Sequence, residues 1–280
     1  RWAHSFVRSF DYNVSIPLDA QIVDQGLMLG YAREKVVFTG CTGERIAGWF
    51  ALPKVIGLPH PCILVLHGAG TNKDAWWSAE NPTGPLVPRL LENGFAVFML
   101  DAGSFGEHRM PADLADSTHS ALPSNWRHGF GDLILRTTAD YRRALDYLST
   151  RTEINSSQSA VFGYSMGGVA ATNLIAGEPR LKAGVICVAP PMIRPNTVLS
   201  PHRARFAAIV PEINARALDG KPLLFLMARQ DIYFSIEEAA GLVALVPGTA
   251  RQLKFFDSGH ILPHAYIDDT VSWFRQHLRP

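Results

Sequence analysis

The chain has few cysteines. It carries three, at positions 41, 62 and 187, among 280 residues. A sparse, odd set of thiols excludes a disulfide framework. Cys62 and Cys187 fall within apolar runs that predict buried strands, so packing is the expected role of both. The sequence has no C-x-x-C or H-E-x-x-H motif, and it therefore predicts no metal site. So few thiols are typical of a reducing compartment, which favours a cytoplasmic location.

An excess of charge of either sign is also missing. The 26 Lys and Arg residues balance 25 Asp and Glu residues, which leaves a net charge of +1. Without a basic surface, nucleic acid is not an expected partner. No apolar run approaches the length of about 20 residues that a membrane span needs. The first residues do not resemble a signal peptide, but the chain begins with Arg1, so a signal peptide already removed stays open.

Apolar runs alternate with stretches of helical spacing along most of the chain. The predicted strands are 35–38, 46–52, 62–66, 95–100, 159–162, 183–189, 222–227 and 252–256. The predicted helices are 85–93, 132–150, 169–176, 236–245 and 266–278. The first two strands flank a turn and predict an antiparallel hairpin. The rest predicts an α/β fold with a mostly parallel central sheet and helices on both faces.

We divide the chain into an N-terminal extension, residues 1–32, and a single α/β domain, residues 33–280. Two stretches inside the domain lack any period, at about 104–131 and 190–220. Long segments without secondary structure in a compact domain are usually functional loops. We therefore interpret both as loop or cap insertions.

The most informative motif is Gly163-Tyr164-Ser165-Met166-Gly167, which fits the pattern G-x-S-x-G. In this pattern a strand ends in a sharp turn, a serine occupies the apex and a helix follows. An ordinary Gly/Ser turn is the alternative. The apolar strand before the motif and the helical stretch after it favour the sharp turn, with Ser165 as a nucleophile.

A serine hydroxyl needs a general base, and the base needs an orienting carboxylate. Asp231 and His260 each follow a different predicted strand, in one of the known chain orders for such a triad. His264 is the rival base, and Asp257 is the rival acid. Capping of the next helix is the structural alternative for Asp231.

An acyl-transfer site also needs N–H donors for the developing oxyanion. The amide of Met166 is one candidate, and the amide of Ala69 is the other, with Gly70 in reserve. Four further residues are candidates for substrate binding, namely Gly70, Trp76, Trp126 and Ile193. For the large side chains among them, core packing or loop anchoring is an equally good interpretation.

These residues together resemble the α/β-hydrolase superfamily. The resemblance runs from about Val36 to the C-terminus and rests on residues 66–70, residues 163–168, Asp231 and residues 259–260. Within the superfamily the chain is similar to dienelactone-hydrolase-like and acetyl-xylan-esterase-like bacterial esterases. The resemblance implies a Ser-His-Asp triad, an oxyanion hole and no cofactor. Dienelactone hydrolases proper use cysteine as nucleophile, so Ser165 favours ordinary ester hydrolysis.

The sequence thus predicts a serine carboxylesterase that acts on a small-molecule ester through an acyl-enzyme. Amide or peptide hydrolysis and C–C bond hydrolysis on the same triad remain alternatives. A non-catalytic ligand-binding protein on the same fold is a further alternative, because fold does not determine function. A homodimer is left open.

Overall fold

The computed structural model describes residues 10–55, 59–108, 126–192, 208–218 and 220–278, with the backbone alone for residues 126–128. Its strands are β1 (Gln21–Met28), β2 (Tyr31–Thr39), β3 (Arg45–Leu52), β4 (His60–Leu66), β5 (Ala96–Leu100), β6 (Ile154–Tyr164), β7 (Leu181–Cys187), β8 (Leu223–Ala228) and β9 (Arg251–Phe256). Its helices are α1 (Leu86–Glu92), α2 (Trp126–Leu148), α3 (Met166–Gly177), α4 (Pro211–Asn214), α5 (Ile236–Ala244) and α6 (Ala265–His277).

Within these residues the strands form one sheet of nine, in the order β1-β2-β3-β5-β4-β6-β7-β8-β9. The pairs from β1 to β5 are antiparallel, and every pair from β5 to β9 is parallel. This confirms the predicted fold, including the antiparallel hairpin of β2 and β3. The ends of β4, β6, β8 and β9 that carry the candidate site residues all lie at one edge of the sheet, as parallel strands require.

The core lies on both faces of the central strands. Every residue of β4 and of β5 is buried. Such continuous apolar runs are typical of parallel strands covered by helices on both sides. Cys62 in β4 and Cys187 in β7 are fully buried, as their positions in apolar runs predict. Burial raises the pKa of the Cys62 thiol, which therefore stays protonated.

The N-terminal segment contributes more to the fold than the sequence indicates. Strand β1 lies inside the stretch interpreted as an extension, and β2 crosses the boundary placed at residue 33. Nearer the N-terminus, Phe10 is fully buried. Arg143 on α2 donates hydrogen bonds from Nη2 to the carbonyls of Ile16 and Pro17, at 2.9 and 3.2 Å. The segment is thus tied to α2 as well as to the sheet.

The two insertions also differ from the prediction. Helix α2 begins at Trp126, so residues 126–131 are helical and not part of the first insertion. The second insertion contains the short helix α4 followed by a 3-10 turn over Ala215–Ala217. Residues 109–125 and 193–207 lie outside the described residues.

Candidate active site

The turn between β6 and α3 has the sharp geometry that the G-x-S-x-G motif predicts. Ser165 stands between the strand and the helix with φ 55° and ψ −117°. Positive φ is uncommon for a residue with a Cβ atom. The flanking glycines permit the close approach, because a Cβ at position 163 would lie 2.2 Å from the carbonyl oxygen of Gly167. One at position 167 would lie 2.2 Å from the carbonyl oxygen of Leu66.

A continuous chain of hydrogen bonds joins Ser165, His260 and Asp231. His260 Nε2 lies 2.8 Å from Ser165 Oγ, and His260 Nδ1 lies 2.8 Å from Asp231 Oδ2. The Asp231 side chain is fully buried, whereas that of His260 keeps 19% of its surface exposed. The backbone N–H of Tyr233 donates to the other carboxylate oxygen, Asp231 Oδ1, at 2.9 Å. The structure therefore brings together the three residues that the sequence selects.

The rival residues lie elsewhere. His264 Nε2 is 3.3 Å from the carbonyl oxygen of Pro82, and the residue precedes helix α6. Asp257 forms an ion pair with Arg229 at 3.0 Å, and its side chain is 83% exposed. A carboxylate so exposed cannot hold an imidazole in a fixed orientation from the protein side. Neither residue takes part in the hydrogen-bond chain around Ser165.

Tyr164, the residue before Ser165, holds the loop that carries His260. Its hydroxyl donates to the carbonyl oxygen of His260 at 3.0 Å and accepts from the N–H of Leu262 at 2.8 Å. Burial raises the pKa of Tyr164, so the hydroxyl keeps the proton that it donates. Sequence reasoning missed this role, since the variable position of the motif signals nothing about a loop almost a hundred residues away.

The loop after β4 passes close to Ser165. A Cβ added to Gly68 would lie 3.4 Å from the Cβ of Ser165, so a larger residue would press on the turn. The His67 ring is buried and makes two bonds to backbone groups. The N–H of Ala102 donates to Nε2 at 2.9 Å, so the ring proton lies on Nδ1, which donates to the carbonyl oxygen of Gly68 at 2.8 Å. Burial lowers the pKa of His67, which favours this neutral form.

The two candidate oxyanion donors come from different segments. Met166 follows Ser165 directly along the chain, and Ala69 lies in the loop after β4. Met166 is the first residue of α3 and is buried. An N–H in the first turn of a helix has no carbonyl partner within the helix. Ala69 and Gly70 form the exposed turn after β4, where Gly70 has φ 80°. The two amides lie in the same turn, so the choice of Ala69 over Gly70 stays a prediction.

A buried ion pair braces the far end of this loop. Lys73 Nζ lies 2.5 Å from Asp101 Oδ2, and the two side chains are 0% and 1% exposed. The Lys73 backbone N–H donates to Asp101 Oδ1 at 2.9 Å, and Glu107 Oε2 lies 2.7 Å from the ammonium group. Burial alone would lower the pKa of Lys73, but the hydrogen bonds to Asp101 and Glu107 raise it overall. The Lys73 ammonium therefore stays charged, and its bonds to Asp101 link the loop after β4 to the end of β5.

The candidate substrate-binding residues are only partly placed. Trp76 is 1% exposed, and its ring packs against those of Phe162 and Tyr164 with centroids 5.6 and 5.8 Å away. This burial corrects the expected role of Trp76 in substrate binding, because the side chain lies in the core, which was the alternative interpretation of its sequence position. Trp126 starts α2, and its side chain lies outside the described atoms. Ile193 lies outside the described residues.

One aromatic residue that the sequence analysis did not select borders the site. The half-exposed ring of Tyr233 meets that of His260 edge to face, with centroids 4.7 Å apart. Its position two residues after Asp231 was the available signal.

Among the described residues, no group of three or more His, Cys, Asp or Glu side chains is arranged to hold a metal ion. No described helix is both long and apolar enough for a membrane span.

Comparison with known families agrees with this geometry. A model described as the alpha/beta hydrolase family matches residues 63–277. The chain belongs to this family. The matched stretch of the alpha/beta hydrolase contains residues 63–66 of β4, all of β5 to β9 and every residue of the hydrogen-bond chain around Ser165. Among curated proteins, YfhR of Salmonella typhimurium is 29% identical over 138 residues, which cover 48% of this chain and 38% of YfhR. YfhR of Escherichia coli K12 is 29% identical over 144 residues, which cover 49% of this chain and 40% of that protein.

Solved structures share the whole fold with this alpha/beta hydrolase. Acetyl xylan esterase 1 from Thermoanaerobacterium superposes with a TM-score of 0.74 at 16% identity, over 98% of this chain and 93% of that one. A cold-adapted esterase from an Arctic intertidal metagenomic library gives 0.68 at 17% identity, over 96% and 100%. An S-formylglutathione hydrolase from Agrobacterium tumefaciens gives 0.67 at 17% identity, over 92% and 99%. Likeness at such low identity shows a common fold.

Proposed function

We propose that the protein is a serine hydrolase that cleaves carboxylic esters of small molecules through an acyl-enzyme. The observation that carries the proposal is the unbroken chain from Ser165 Oγ through the His260 ring to the buried Asp231 carboxylate, with both contacts at 2.8 Å. A hydroxyl bonded to an imidazole, which is in turn held by a carboxylate, is the arrangement that activates serine as a nucleophile.

The proposed reaction follows from the direction of these bonds. His260 donates from Nδ1 to Asp231, so Nε2 is free to accept the Ser165 proton as the oxygen attacks the ester carbonyl. The same proton then passes from Nε2 to the departing alcohol. Water, deprotonated by the same nitrogen, attacks the acyl-enzyme, and Ser165 leaves with its proton restored. Asp231 keeps its negative charge throughout and stabilises the imidazolium.

The carbonyl oxygen becomes negatively charged in both tetrahedral intermediates. In the proposal the amides of Met166 and Ala69 donate to it, and each such donor is worth about 10²–10³ in rate. The esterases among the similar structures support ester substrates over amides.

The test compares the protein with the variant Ser165→Ala on p-nitrophenyl esters of increasing acyl length. We expect hydrolysis that the substitution reduces by at least about 10⁴-fold, the order expected when a triad member is removed. Ser157→Ala, which changes an exposed serine on β6, is the matched control and should keep full activity. A fluorophosphonate should label the parent protein and leave Ser165→Ala unlabelled.

Three outcomes would contradict the proposal in whole or in part. Full ester hydrolysis in Ser165→Ala would remove the serine mechanism. A folded protein that hydrolyses no ester and takes no fluorophosphonate label would point to a binding function. A protein that is labelled at Ser165 but turns over amides faster than the matching esters would retain the triad and change the substrate class.

A further inference from the structure

The carbonyl group of Gly68 accepts two side-chain hydrogen bonds. His67 Nδ1 donates to it at 2.8 Å, and Thr71 Oγ1 donates to it at 3.0 Å. The His67 ring is itself fixed by the N–H of Ala102 on its other nitrogen. The Thr71 hydroxyl closes a local turn from three residues further along the chain. Two donors on one carbonyl hold its direction more tightly than either donor alone.

The direction of this carbonyl determines the direction of the next amide. The bond between Gly68 and Ala69 is a planar trans peptide, so its C=O and its N–H point in opposite directions. The C=O points at His67 and Thr71, and the Ala69 N–H must therefore point away from both. On the Gly68 side of this peptide, the chain lies against the Ser165 turn, because an added Cβ would meet Tyr164 O at 3.3 Å and Ser165 Cβ at 3.4 Å.

We propose that Thr71 is a positioning residue for the oxyanion hole: by holding the Gly68 carbonyl, its hydroxyl turns the Ala69 N–H towards the space above Ser165. This inference rests on the proposed function and adds a residue outside the triad. Thr71 does not touch the reacting atoms. Its hydroxyl acts through one peptide plane, so its loss leaves that plane held by His67 alone and lets it rotate more widely, without removing the N–H itself.

The proposal predicts a loss of transition-state stabilisation with little change in substrate binding. A preorganised donor is worth far more to the charged intermediate than to the neutral ester. In Thr71→Val the isosteric side chain keeps its packing and loses the hydroxyl. We expect kcat to fall by about 10-fold, a fraction of the about 10²–10³ that complete loss of a donor costs. KM should stay within about two-fold of the parent value, since the contacts that bind substrate and transition state equally are unchanged.

The affinity for an oxyanion-forming inhibitor gives a second readout. This affinity would not change if Thr71 only stabilised the fold. A trifluoromethyl ketone forms a tetrahedral adduct with serine that carries an oxyanion. Its affinity for Thr71→Val should weaken by the same factor as kcat. Thr71→Ser keeps the hydroxyl, and it should restore both kcat and ketone affinity to within about two-fold of the parent protein.

Thr150→Val is the matched control. The hydroxyl of Thr150 also donates to a backbone carbonyl three residues earlier, that of Tyr147 at 2.7 Å, at the C-terminal end of α2. This variant loses the same kind of bond away from the site, so it should lower stability slightly and leave kcat unchanged. Circular dichroism and the thermal midpoint of each variant report whether the fold is kept.

The outcomes separate this inference from the proposed function. If Ser165-dependent hydrolysis is present and Thr71→Val retains the parent kcat, the role of Thr71 is overturned and the esterase proposal stands. Equal loss in Thr71→Val and Thr71→Ser would assign the effect to packing and would also overturn it. If no hydrolysis depends on Ser165, both proposals fall together.

Discussion

The hydroxyl of Tyr164 donates a hydrogen bond to the carbonyl oxygen of His260 at 3.0 Å, across 96 residues of sequence. It also accepts from the N–H of Leu262 at 2.8 Å. One side chain thus connects the turn that presents the candidate nucleophile to both sides of the loop that presents the candidate base. Its ring packs against Trp76 and Tyr266, with centroids 5.8 Å away in each case. The aromatic core beneath the site therefore supports this link.

Removal of the Tyr164 hydroxyl should make the position of His260 less fixed without leaving a cavity in the core. In Tyr164→Phe the ring keeps its packing, while the carbonyl of His260 and the N–H of Leu262 lose their partner. We expect kcat to fall by about 10-fold, since small misplacement of a catalytic group has large effects on rate. KM should change little. Steady-state kinetics on one p-nitrophenyl ester measures both values.

Tyr12→Phe is the control for this prediction. It also removes a tyrosine hydroxyl from a hydrogen bond, the one to Asp146 Oδ2 at 2.6 Å, far from the site. It should leave kcat unaltered. If the two variants lose activity to the same extent, the link between Tyr164 and the His260 loop has no functional role.

The buried pair of Lys73 and Asp101 should matter strongly for stability. Lys73→Met leaves the Asp101 carboxylate buried without its cation, and such uncompensated charges cost about 3–5 kcal/mol. Lys35→Met removes an ammonium that also pairs with Glu107 but is partly exposed, and should cost no more than about 1 kcal/mol. Urea unfolding of both variants measures the contrast. Similar losses of unfolding free energy in the two variants would show that the burial of Lys73 adds nothing to its contribution to stability.

The glycines beside Ser165 should tolerate no side chain. Gly163→Ala would place a Cβ 2.2 Å from the Gly167 carbonyl oxygen and 2.6 Å from the Cβ of Ala171, so strand and helix must separate. We expect a loss of at least about 3 kcal/mol, as for severe overpacking. In Gly241→Ala, on helix α5, the new methyl has no atom within 4 Å. That variant should gain up to about 1 kcal/mol. Thermal melts of the two variants should move in opposite directions.

Glu153 should make stability depend on pH in the acid range. The hydrogen bond from Arg151 lowers the pKa of Glu153 from 4.5 to about 2 in the folded protein. Between these values the unfolded chain binds the proton and the folded chain does not, so stability rises with pH. The contribution is complete above about pH 4.5 and is lost as pH falls towards 2.

Glu153→Gln removes this contribution. Because the carboxylate is partly exposed, the variant should be less stable by no more than about 1 kcal/mol at pH 7. Urea titrations at unit steps from pH 7 to pH 3 should show the difference from the parent protein narrowing below pH 4.5. A difference that widens at low pH would contradict the assignment.

Strong local signals allowed most of the fold to be predicted from the sequence. Residues 62–66 of strand β4 are all apolar, and such a run is typical of a strand covered on both faces. Strand β1 escaped because nearly all of its side chains are exposed, so it has no buried alternation. Backbone pairing with β2 positions it, and Met28 at its end packs against the core. Propensity rules do not detect a strand that is held mainly by its neighbour's hydrogen bonds.

The candidate site divides in the same way. Ser165, Asp231 and His260 could be selected because each follows a strand and the fold places those strand ends together. Contacts between segments that are distant along the chain have no comparable signal in the sequence. Lys73 has the appearance of a surface charge in the sequence, and its burial depends on Asp101 at the end of another strand. Trp76 shows the reverse, since an aromatic residue near the site has the same composition signal whether it lines a pocket or fills the core.

The order of the chain also has a consequence for refolding. Ser165 and His260 are 95 residues apart, and His260 lies beyond β9, the final strand. Contacts of such long range form late, because the chain between them must first be ordered. After dilution from denaturant, far-ultraviolet circular dichroism should recover before reactivity towards a fluorophosphonate. The serine would thus report the last step of folding, the docking of the C-terminal segment on the finished sheet.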